Sequence, residues 1–86
     1  MSQLQQLKQQ INAICNDAKS TAQGLGSFKS KFSQAVSQVA ATIGGSTQKV
    51  DTNMINTLQA AEKQVDAAIQ ALQAAASAAS NYSNSL

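Results

Sequence analysis

Apolar residues recur every three or four positions along almost the whole chain, and the rhythm is interrupted once, near the middle. Leu4, Leu7, Ile11, Ile14, Ala18, Thr21, Leu25, Phe28, Phe32, Ala35 and Val39 form a heptad seam over five repeats, with Thr21 its one polar member. Val36 and Ile43 widen the stripe toward the break. Beyond it, Val50, Met54, Leu58, Ala61, Val65, Ala68, Leu72, Ala75, Ala79, Tyr82 and Leu86 resume the same spacing, with Ile55 and Ile69 on a second flank. No proline occurs in either stretch.

The break, Thr42-Ile43-Gly44-Gly45-Ser46-Thr47, reads as a helix stop followed by a helix start. Gly44 can take a left-handed conformation at little steric cost, and Ser46 or Thr47 can accept from the free N–H groups of the next turn. Ser2 with Gln5 forms a capping box at the other end of the first arm. Asp51 lies where the positive end of a helix dipole favours a carboxylate, and would itself be the N-cap of a helix starting late. The pattern therefore predicts an all-α fold: one antiparallel two-helix hairpin with helices over about 3–42 and 47–82 and a turn at 43–46.

Gly24 and Gly26 bear on that reading, because each costs ~1 kcal/mol in a helix interior relative to alanine. The alternative is a three-helix bundle broken at these glycines, with Ser27 as a new cap. The heptad phase passes through undisturbed, however, and a turn would reset it. A continuous first helix is the favoured form.

Each stripe is wider than one antiparallel neighbour covers. The hairpin thus reads as half of a four-helix bundle, completed by a homodimer or by a heterodimer with a related helical partner. The residues assigned to partner binding are Leu25, Phe28, Phe32, Val36, Val39, Leu58, Val65, Ile69 and Leu72. Cys15, beside Ile14, reads as a small half-buried apolar residue at the seam's edge. Lys29 and Lys31 read as solvating flanks. Ten alanines among residues 60–79 make the second arm a stiff helix able to pack closely. The tail from Asn81 to Leu86 loses helix propensity and should fray unless Tyr82 and Leu86 dock on a partner.

Composition narrows the function classes. Glutamine, asparagine and serine supply 30 of 86 residues, and charged residues only 12%. Six lysines face four acids with no arginine, so the basic bias is slight and lacks the clustering of a nucleic-acid module. Four lysines and Asp17 leave the first arm at +3; Lys49 and Lys63 against Asp51, Glu62 and Asp66 leave the second at −1. Without histidine there is no histidine-based metal site or catalytic dyad, and a single cysteine permits no internal disulfide. No nucleophile stands with a base, so neither an enzyme nor a cofactor site is expected. No apolar run exceeds three residues, which leaves neither a signal-peptide core nor a membrane span.

A proline-free pair of long helices around a central glycine turn, with no cleavable signal, resembles the small WXG-type helical proteins of bacterial type VII (ESX) secretion. The family turn carries Trp-x-Gly; here Ile43 and Gly44 stand in that place, keeping the glycine without the tryptophan. The family export tail carries a tyrosine and an acid four positions on; here Tyr82 is followed by Leu86. Ile43, Gly44 and Tyr82 are accordingly the candidate export motif, with Gly44 and Gly45 at the turn. The resemblance implies a secreted substrate, or a helical partner and targeting chaperone that covers the helical N-terminal domain of a larger secreted effector. Needle-forming hairpins of another secretion system usually carry proline at the turn. A cytoplasmic coiled-coil adaptor without an export role is the alternative.

Overall fold

The computed structural model describes residues 2–44 and 49–86, and among them it is two helices. Helix α1 runs over Gln3–Ile43 and helix α2 over Lys49–Ser85, antiparallel and in contact along their length. The expected hairpin is what forms. Ser2 caps α1 in extended backbone, its hydroxyl accepting from the Gln5 N–H at 3.1 Å. At the far end Gly44 returns its N–H to the Ala40 carbonyl at 3.0 Å. Its φ is +67° with ψ −136°, so φ is positive as glycine permits, but the residue lies outside the left-handed helical well. Gly45 and the proposed caps Ser46 and Thr47 lie outside the described residues. Asp51 sits in the first turn of α2, so it is not that helix's N-cap.

One expectation holds and another changes. Helix α1 passes through Gly24 and Gly26 without a break, so the three-helix alternative is not adopted. The tail does not fray at Asn81: α2 continues to Ser85, and Ser83 is buried, its hydroxyl at 3.5 Å from Asn12 Oδ1. Docking against the first turns of α1 supplies what propensity lacks there.

The rod measures 65 × 16 × 14 Å, and its radius of gyration is 19.4 Å against about 12 Å for a compact domain of this length. Such a shape can hold only a single line of core. Among the described residues six apolar ones are buried, namely Ile11, Cys15, Ala18, Ala22, Val36 and Ala76, and no side chain is fully enclosed. Cys15, Ala18 and Ala76 touch one another, with Leu72 and Ala79 packed against them. Four of the six buried residues are alanine or cysteine at or near α2's alanine run, so the helices approach closely there and bury little apolar area in doing so.

Candidate functional site: an apolar face on one side of the hairpin

The helices meet along a line rotated from the predicted seam. On α1 the column Ile11, Ala18, Leu25, Phe32 does face α2. Its companion column is not Ile14, Thr21, Phe28 and Ala35 but the next residue in each heptad, Cys15, Ala22, Lys29 and Val36. Helix α2 behaves the same way. Leu58, Val65, Leu72 and Ala79 turn inward as expected, but Ile55, Glu62, Ile69, Ala76 and Ser83 accompany them in place of Met54, Ala61, Ala68, Ala75 and Tyr82. With 3.6 residues per turn, exchanging one column for the next rotates the contact line by about 50°.

Small residues drive this correction. Cys15, Ala22 and Ala76 let two backbones approach, whereas Ile14, Phe28 and Tyr82 in the same place would hold them apart. Cys15 is therefore buried at the contact instead of half-buried at its edge, and its thiol lies 3.5 Å from the Ala76 carbonyl. Lys29 is not merely a solvating flank either. Its Nζ lies 2.6 Å from Asp66 Oδ1, with side chains 34% and 48% exposed. Lys31 stays exposed.

Handedness decides where the displaced columns go. In two right-handed helices running antiparallel, the position one residue before each contact comes out on the same side of the pair. Ala35 and Val39 of α1 and Met54 of α2 accordingly line one groove, while Lys29, Gln59, Lys63 and Asp66 line the groove opposite. The hairpin has two unlike sides. On the polar side side-chain bonds cross between the helices, among them Lys29 to Asp66, Ser33 Oγ to Glu62 Oε2 at 3.0 Å, and Ser83 to Asn12. Each pair of residue numbers adds to 95, which fixes the register of one helix on the other.

The other side gathers the large apolar residues that the hairpin leaves exposed. Leu4, Leu7, Ile14, Phe28, Val39, Val50, Met54, Tyr82 and Leu86 all fall in its columns. Ile14 is 60% exposed and Phe28 51%, the latter stacked on half-buried Phe32 with ring centroids 5.6 Å apart. Leu25, Phe32, Leu58, Val65 and Leu72 form the half-buried floor between the two outer columns.

The nine residues assigned to partner binding therefore divide. Phe28 and Val39 project from the apolar face, and Leu25, Phe32, Leu58, Val65 and Leu72 supply its floor. Val36 is 5% exposed and belongs to the core, and half-buried Ile69 shares its inner position on α2. Periodicity alone would have found the missing members Ile14, Met54 and Tyr82, which belonged to the predicted seam. Ile43 and Gly44 lie at the turn and Tyr82 at the opposite end of a 65 Å rod, so one chain does not bring the candidate export residues together. Among the described residues no three metal-ligating side chains cluster, and no helix is long and apolar enough to cross a membrane. Comparison of the chain with protein-family models, with curated proteins and with solved structures returns no match.

Proposed function

We propose that the chain is a non-enzymatic helical partner protein, and that its apolar face is covered by further helices to complete a four-helix bundle. One observation carries this reading: the exposed large apolar side chains lie on a single side of the rod. Scattered exposed leucines would need no explanation, but a contiguous band does. In projection the face is 65 × 16 Å, roughly 1,000 Å², comparable with the about 800 Å² per partner of a stable complex. A sequence with no histidine and few acids supports a binding role over a catalytic one.

The biological setting we propose is type VII secretion, as a secreted substrate or as the partner and targeting chaperone of a larger effector. The resemblance at Ile43, Gly44 and Tyr82 and the hairpin architecture support it. The experiment is export of a tagged copy from a bacterial host, assayed in culture filtrate with the type VII membrane ATPase intact or deleted. Appearance in the filtrate only with the ATPase is the expected result. Retention in the cell in both strains would leave a cytoplasmic coiled-coil adaptor.

A further inference from the structure

We infer that the hairpin is a clasp that opens at its turn. The turn half, residues 27–43 with 49–68, parts as one unit while the terminal half, 3–23 with 72–85, stays paired. Gly24 and Gly26 mark the joint. The inference does not depend on what covers the apolar face.

Packing supplies the first argument. Ile11, Cys15, Ala18, Ala22 and Ala76 are buried in the terminal half together with Ser83, whereas Val36 is the one residue buried among those described in the turn half. The contacts among Cys15, Ala18, Ala76, Leu72 and Ala79 belong wholly to the terminal half. In the turn half two inner positions go to Lys29 and Glu62, whose charged heads stay partly in water, so the helices cannot seal there. Clefts open between them: one between Ala40 and Ile55, one along Val39 and Met54, and one between Lys29 and Lys63. The bonds from Lys29 to Asp66 and from Ser33 to Glu62 cross this half, but between partly exposed groups that hold weakly.

Local propensity points the same way. Val50-Asp51-Thr52-Asn53-Met54-Ile55-Asn56-Thr57 holds one strong helix former, Met54, and Ser27, Ser30, Ser33 and Ser37 recur through the turn half of α1. In the terminal half, residues 72–79 are leucine, glutamine, serine and five alanines.

The third argument is where the glycines fall. The register sets Gly24 level with Ala71 and Gly26 level with Ile69, at the boundary between the two halves. Each lowers the local helix equilibrium about fivefold relative to alanine. A Cβ at either would meet nothing within 4 Å, so no contact within the chain requires a glycine there. Helix α1 is thus weakest where its packing changes, and a helix weakened at that point lets one half melt without unravelling the other.

Helical hairpins ordinarily loosen first at their chain ends. Opening at the turn instead leaves a closed loop of about forty residues, but the cost of closure grows slowly with loop length. Uneven burial and propensity outweigh it here. The open form exposes Phe32, Val36, Leu58 and Val65 while the chain ends stay together. Anything that engages the molecule at its turn meets the weaker half first.

Native-state hydrogen exchange on the full chain, in urea below the unfolding midpoint, tests this amide by amide. Amides of 30–41 and 54–66 should exchange at least about tenfold faster than those of 11–22 and 73–80, with the step within 23–29 and 67–72. Val36→Ala should speed exchange in both halves alike, about five- to thirtyfold, because the terminal half opens only after the turn half. Ala18→Gly should speed the terminal half by a similar factor and leave the turn half within about twofold. Equal protection of the two halves overturns the clasp, as does a terminal half that exchanges first. A step away from Gly24 and Gly26 overturns the joint. A turn half that speeds up with Ala18→Gly overturns the order of opening. None of these results touches the export assay, whose own failure would count against the secretion role and not against the clasp.

Discussion

On one side of the hairpin Lys29, Ser33 and Asn12 reach across to Asp66, Glu62 and Ser83; on the other, Ile14, Phe28, Met54 and Tyr82 stand exposed. The first side is joined by polar bonds between partly exposed groups, each contributing little. The second carries most of the chain's bulky apolar surface and has no second layer over it. Between them runs an inner line of alanine, cysteine and a few larger residues. The small residues occupy the contact within the chain, and the large ones are left for a contact with something else. Helices of ordinary amphipathicity would do the reverse.

The sharpest way to break this comparison is to exchange size between neighbouring columns of α2. Ala76 is 3% exposed against Cys15 and Ala18, whereas Ala75, one residue earlier, is on the open face. Ala76→Leu should separate the helices and cost about 3 kcal/mol, the upper end of overpacking. Ala75→Leu should change the stability of the single chain by less than about 0.5 kcal/mol. Urea melts at a concentration low enough to hold the chain monomeric would check both. Equal effects would mean that the two columns are not distinct.

A second contrast lies on α1. Val36 is buried and Phe28, the larger side chain, is half exposed. Val36→Ala should cost the isolated chain about 1–2 kcal/mol. Phe28→Ala should cost less despite removing more carbon, because the ring gives up little area to the fold beyond its stack on Phe32. Its larger effect belongs to association, and thermal melts run over a range of concentrations separate the two.

These pairs also mark how far the sequence could be read. Two helices, the break at Gly44 and the continuity through Gly24 all follow from periodicity and local stereochemistry. Which edge of a wide stripe faces the neighbour does not. Ile14 and Cys15 are equally available to a heptad argument, and the choice falls to Cys15 because Ala76 opposite it is small. That is a property of two residues 61 apart in the chain, invisible to either helix read alone. The helical tail escapes the sequence for the same reason: Ser83 is a poor helix former until Asn12 lies beside it.

The glycines sharpen the comparison at the next scale down. With open space around both, Gly24→Ala and Gly26→Ala should each stabilise the monomeric chain by up to about 1 kcal/mol. The gain is conformational, since alanine restricts the unfolded chain and suits the helix without a new contact. Loss of stability on either substitution would show that α1 bends or is crowded there.

The smallest effect is expected at the ion pair on the polar side. Lys29 and Asp66 meet at 2.6 Å, but with a third to a half of each side chain in water the attraction is screened and the ordering of a long lysine opposes it. Lys29→Met keeps most of the aliphatic stem and removes the charge, so it should cost about 0.2–1 kcal/mol at low salt and less as salt is raised. A double-mutant cycle with Asp66→Asn isolates the pair. A coupling much above that range, insensitive to salt, would mean that the polar side holds the hairpin together. The helices would then no longer depend on the small-residue line at Cys15, Ala18 and Ala76, and the contrast between the two sides would invert.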